Sequence, residues 1–221
     1  MPHNILSATR SGDGDSLNAT TNRALAYEPV LHYWFGNGSD AEIALRQSPL
    51  WWGKSPNTDD DIRERFAATR DQAIDGQLEI WEQTSRGRLA LILLVDQFSR
   101  SIFRDRAEAF TYDYLAQEWC LNGLDSGMDE ALQPIERVFF YLPLEHSESR
   151  VDQARSVALF TALAAQAPAS QRQLFDGYLE FARRHQAIVE RFGRFPHRNQ
   201  VLDRTPTDAE IRFLEEPGSS F

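Results

Sequence analysis

Arg191, Arg194 and Arg198 crowd, with His197 and Asn199, into the nine-residue stretch RFGRFPHRN around Gly193 and Pro196. Guanidinium groups offer fork-shaped donors that match a carboxylate or a phosphate, and a Gly with a Pro fixes the turn that presents them. The chemistry open to this cluster is anion binding or pairing with buried acids. A helix dipole accounts for cations at the helix end, hence for Arg191 and in part for Arg194. It does not account for Arg198 and Asn199, which lie beyond Gly193 and Pro196, so these two point to an anion or an acid partner.

Two further segments combine polar groups with apolar anchors. In DQFSRSIFR, Asp96, Arg100 and Arg104 stand at i, i+4 and i+8 and so share one helix face. That spacing fits a surface ion-pair ladder, but the segment continues an apolar run, which brings its charges close to a core. In ERVFFYLPLEHSES, His146 has the chemistry of a general acid or base, with Glu148 or Glu145 to orient it. The same Ser and Glu residues also suit a helix cap, with His146 satisfying a buried carbonyl. His185 stands on an apolar stripe between Phe181 and Ile188 and reads as a neutral core histidine with one hydrogen-bond partner. Its cation would be costly there unless an acid such as Asp96 faced it.

Composition narrows the field. The formal charge of −10 opposes non-specific attraction to nucleic acid, and no apolar run approaches the length of a membrane span. Lys54 is the only lysine, so nearly every basic residue is Arg. Cys120 is the only cysteine, which excludes an intrachain disulfide and a Cys-based zinc site and fits a reducing cytoplasm. No HExxH, paired ExxH, glycine-rich phosphate loop or GxSxG elbow is present, so neither a metal nor a cofactor is expected.

The elements that must position these groups read as helices throughout. Residues 1–22 are polar and rich in Ser, Gly, Asp and Asn, and read as a flexible tail; residues 23–221 read as one helical domain. Pro29 opens a short helix over VLHYWF that Gly36 closes, and WWGKSPN reads as a loop with two aromatic anchors. Thr58 is the expected cap of the next helix, whose stripe is Ile62, Phe66, Thr69, Ala73 and Ile80. LALILLV is apolar on every side and fits a buried helix better than a strand, since its flanks extend it past strand length. Helices follow over Ala107 to Leu121, from Pro134 to a stop at Pro143, and from Ser149 to about Gln166. Ser170 caps a long helix with the stripe Leu174, Tyr178, Phe181, His185, Ile188 and Phe192, ended by Gly193, and Thr205 starts the last. No segment alternates with period two, so the expected fold is all-α, built of stacked antiparallel helical hairpins without a sequence repeat.

DQFSRSIFR, ERVFFYLPLEHSES and HQAIVERFGRFPHRN, together with VLHYWFG and RGRLALILLVDQF, resemble the signatures of the bacterial domain-of-unknown-function family numbered 924 over roughly residues 27 to 214. The resemblance implies a tetratricopeptide-like all-helical fold with no established activity. The chain departs from the family pattern at Ser99, where Pro is expected, at Ser101, where Asn is expected, and at Asp203, where Gly is expected.

Three functions fit these residues. One is a binding module whose pocket takes an anionic small molecule or a peptide carboxylate on Arg100, Arg194 and Arg198, with His197 and Asn199 hydrogen-bonding beside them and Asp96 and Arg104 completing the set. Another is a hydrolase or transferase in which His146 is the general base and the arginines stabilise developing charge. The third makes all the motifs a buried network in a protein-interaction scaffold. No motif specifies an oligomeric state.

Overall fold

The computed structural model describes residues 26–219, and every regular element among them is helical. The tail assigned to residues 1–22 lies outside the described residues. No helix among them is long and apolar enough to cross a membrane.

α1 (Glu28–Phe35) has Pro29 in its first turn and is closed by Gly36 at φ 63°. The next element departs from expectation. Trp51 and Trp52 do not anchor a loop but end a second helix, α2 (Asp40–Trp52), which begins with a capping box of Ser39 and Glu42. α2 closes the open end of α1: Gln47 Nε2 donates to the carbonyls of Tyr33 and Trp34, and Trp51 Nε1 also donates to Trp34. α3 (Pro56–Ile74) is capped by Ser55, whose hydroxyl accepts from the Thr58 amide, so Thr58 lies inside the helix instead of capping it.

The apolar run is the axis of the fold. α4 (Ser85–Ile92), a π-helical turn (Leu93–Gln97) and α5 (Phe98–Ile102) form one continuous segment in which every residue from Gly87 to Ser99 is buried. Helix neighbours on all sides explain a sequence apolar on all sides. The helix stops at Ile102, so Arg104 leaves the face of Asp96 and Arg100 and pairs with Asp59 of α3, 2.6 Å away at both oxygens. α6 (Asp113–Asp125) is shorter at its start than the sequence suggested, because residues Ala107–Ala109 form a separate 3-10 turn, and it runs on past Gly123.

α7 (Pro134–Glu145) continues through Pro143, the expected stop, by two further residues. α8 (Arg150–Gln166) starts at the Ser149 cap as read, and α9 (Arg172–Phe192) ends at Gly193 in the left-handed region, φ 71°. The cap of α9 is Gln171 and not Ser170, which belongs to a preceding 3-10 turn. Its buried face is Phe175, Leu179, Ala182, His185, Ile188 and Val189, while Phe181 is half exposed. One residue of offset turns a helix face by about 100°, so the expected stripe shares His185 and Ile188 with the true one but misplaces Phe181. α10 (Asp208–Leu214) begins after Thr207, two residues later than expected.

α7 owes its late stop to α8. Gln153, fully buried, donates through Nε2 to the carbonyls of Leu144, Glu145 and Ser147 at 3.4, 2.6 and 2.7 Å. Terminal carbonyls of a helix have no intrahelical donor, and one carboxamide supplies it here. Ser147 Oγ donates to Asp152 at 2.7 Å and accepts from the Ser149 amide, which locks the intervening turn. Gln153→Leu is expected to strand these acceptors and to lower stability by about 2 to 3 kcal/mol, measured by urea denaturation. A loss below about 0.5 kcal/mol would show that water replaces the carboxamide and that the turn holds itself.

Candidate functional site

Asp96 is carried on the π turn, 1% exposed. Its carboxylate accepts from Gln97 Nε2 at 2.6 Å and from His146 Nδ1 at 2.7 Å, and Arg100 NH2 lies 3.1 Å away. Burial opposes its charge, but Arg100 and His146 hold it well below the usual carboxylate range. Arg100 also makes a bidentate pair with Asp113 of α6, both contacts at 3.0 Å. Burial lowers the basicity of His146, with Asp96 acting against that and Arg100 and Arg198 adding to it. An ionised Asp96 facing a neutral imidazole fixes the tautomer with hydrogen on Nδ1. Among the described residues Nε2 has no partner, and its ring, 15% exposed, lines a cleft.

The opposite wall comes from the loop after α9. Gly193 turns the chain, the Phe195 amide donates to Glu148 Oε1 at 2.8 Å, and Arg204 closes on the same carboxylate at 2.8 and 3.1 Å. Arg194 is taken by Glu210, at 2.6 and 2.8 Å, and by the Thr205 carbonyl. These clamps set Arg198 against two rings, its guanidinium 4.9 Å from the centre of Phe110 and 4.5 Å from that of Phe195. Arg198 is 7% exposed, and among the described residues its buried Nε has no partner and no carboxylate lies within 4 Å of it. Burial and the neighbouring Arg100 push it down to about 10, so it stays a cation at neutral pH.

Between the walls lies an open cleft of about 360 Å³. His146 and Arg198 line it with Asp113, Glu148, Phe110 and Leu202. The three motif segments, far apart in the chain, therefore meet at one place.

Each candidate residue can now be located. His146, Glu148 and Arg198 line the cleft, and Asp96 and Arg100 stand directly behind His146. Asp96 orients His146; both Glu148 oxygens are occupied by Arg204 and the Phe195 amide. Arg104 and Arg194 are committed to Asp59 and Glu210. His197 is half buried beside Phe195, and Asn199 is buried with neither polar atom of its side chain hydrogen-bonded among the described residues. His185 is buried as read, with Nδ1 2.9 Å from the Phe181 carbonyl and 3.1 Å from Glu145 rather than facing Asp96. The sequence reading missed Asp113, Phe110 and Gln97. Only the spacing of Arg100 from Asp113, which a helix break interrupts, could have hinted at the first. Among the described residues no group of three or more His, Cys, Asp and Glu is arranged to hold a metal ion.

The chain matches the model of a family described as bacterial protein of unknown function, DUF924, over residues 30–218. It is similar to a solved protein of unknown function from Agrobacterium tumefaciens, 34% identical, with a TM-score of 0.72, covering 87% of this chain and 98% of that one. No curated protein matches it.

The buried titratable groups dictate a pH profile of stability. Burial pushes His185 down to about 3 and His197 to about 4. The unfolded chain therefore binds protons from the ordinary histidine range downward that the folded one refuses, and stability falls with falling pH. Burial and Asp96 push Glu145 up to about 8. The unfolded chain releases that proton at the ordinary carboxylate value while the folded one keeps it, so stability falls as pH rises towards 8. Two histidines outweigh one glutamate on the acid side, and only the glutamate acts above it. Stability should peak near pH 6.5, and Glu145→Gln should flatten the alkaline side. Denaturation midpoints across that range check both; an unchanged alkaline slope in the variant would mean that Glu145 is already ionised.

Proposed function

We propose, for a chain that belongs to the bacterial protein family of unknown function DUF924, that the cleft binds a small anionic molecule on Arg198. The observation that carries this reading is a buried guanidinium with two aromatic rings against it and no acid in contact among the described residues. Each cation–π contact returns about 0.5 to 2 kcal/mol. Burying an unpaired ion costs several kcal/mol even after relaxation. A carboxylate or phosphate in the cleft closes that gap with charge-assisted, bidentate hydrogen bonds.

Its neighbours support the same reading. Asp113 and Glu148 are in contact with Arg100 and Arg204, so those cleft carboxylates do not claim Arg198 by contact. The volume, about 360 Å³, suits a metabolite-sized ligand rather than a folded partner, since small-molecule pockets begin near 300 Å³. One buried free cysteine fits a cytoplasmic protein.

The rival is a scaffold in which Arg198 balances the surplus negative charge of Asp96 and Asp113 at a distance. Arg198→Met separates the two. In a binding cleft the substitution costs less than about 1 kcal/mol of stability and lowers phosphate or succinate affinity by about tenfold to a hundredfold. In a scaffold it costs roughly 3 to 5 kcal/mol and no anion binds the wild type. Urea denaturation and calorimetric titration of both proteins decide it.

A further inference from the structure

We infer that Asp96 and His146 act together as a general base that hydrolyses a carboxylic ester bearing an anionic group. The inference rests on the anion-binding reading of Arg198, which would hold that group while the ester carbonyl lies against His146 Nε2.

Three features carry it. A carboxylate at 1% exposure bonds Nδ1 of a histidine at 2.7 Å. Two further donors, Gln97 and Arg100, keep that carboxylate in place and ionised. The other ring nitrogen has no partner among the described residues, and His146 lines the same cleft as Arg198, whose buried Nε is also unpartnered. A histidine that only filled a hole in the core would need neither the oriented tautomer nor the opening.

The nucleophile follows from what the cleft lacks. Among the described residues no serine or cysteine lines it, and the one hydroxyl there, Thr111 Oγ1, is directed to the Ala107 carbonyl at 3.4 Å. The sole cysteine is buried. Water is therefore the attacking group. Nε2 takes one proton from it as its oxygen bonds to the carbonyl carbon; the carbon–oxygen bond to the alcohol then breaks, and Nε2–H returns the proton to the departing alkoxide. An acid and an alcohol leave, and the imidazole ends neutral as it began. His146 is the catalytic residue and Asp96 its positioning residue. Phe110 and Leu202 supply the apolar wall for the carbon skeleton.

The probes are the half-ester mono-4-nitrophenyl succinate and the neutral 4-nitrophenyl acetate, with succinate binding measured alongside. The wild type is expected to cleave the half-ester above the buffer rate and to prefer it to the acetate. Arg198→Met should collapse that preference. His146→Gln should lower kcat roughly 100-fold or more, and His146→Ala should regain part of its rate with added imidazole. The charged groups facing His146 are Asp96, Arg100 and Arg198, with the His185 ring 6.3 Å away and Glu145 behind it. Removing the anion that holds a proton on His146 moves its titration down, so Asp96→Asn should lower the rate and shift the acid limb of the pH profile to lower pH. A structural role alone would leave that limb in place. Two results overturn the inference: succinate binds but the half-ester is not cleaved above buffer, or cleavage survives in His146→Gln. If succinate does not bind and Arg198→Met leaves the preference intact, the anion-binding reading fails instead.

Discussion

The buried carboxylate of Asp96 is the constraint on which the rest of the structure depends. An ionised group taken fully out of water costs several kcal/mol unless every lone pair is met. Here the donors come from Gln97, Arg100 and His146. Meeting that demand joins the central helical run to the α7–α8 turn, because His146 belongs to the turn and Asp96 to the run. Gln153 and the Ser147–Asp152 contact hold the turn from the other side. The π turn belongs to the same arrangement. Its extra residue shifts the helix register at Asp96, and such turns are frequent at functional sites.

What the sequence showed depended on how local the determining interaction was. The all-helical class, the cap at Ser149, the stop at Gly193 and the buried state of LALILLV were legible because each rests on neighbours within one or two turns. α2 was not read although Ser39 and Glu42 announce it, because the aromatic pair at its end drew the segment towards a loop. The continuation of α7 through Pro143 was illegible for a different reason: its supporting donor, Gln153, comes from the next helix. Family resemblance marked Ser99, Ser101 and Asp203 as departures, and the structure accounts for the first and the last. Asp203 adopts φ 51°, the region where Gly is at ease and Asp is tolerated. Ser99 Oγ accepts from the buried Arg70 at 2.7 Å, a contact that proline could not make.

The candidate site was legible as a set of residues but not as a set of pairings. Asp59 meets Arg104 and Glu148 meets Arg204 across 45 and 56 positions of the chain. No local pattern records such partners. Arginines that look equivalent in the sequence therefore separate in the fold into those that clamp a loop, Arg194 and Arg204, and one that the clamps expose to a cleft, Arg198.

That separation follows from charge counting. Arg100 is a single cation in contact with two carboxylates, Asp96 and Asp113, so the cluster behind the cleft carries a surplus negative charge. Arg198 stands near enough for that surplus to support its charge, yet burial and Arg100 together outweigh the support. A cation so placed is held in the cleft by the field of the cluster without being neutralised by contact. The same distant carboxylates that permit a buried arginine leave its hydrogen-bonding edge unfilled, so in the proposed binding role an anion would meet donors already set against Phe110 and Phe195 instead of donors that must first break a salt bridge.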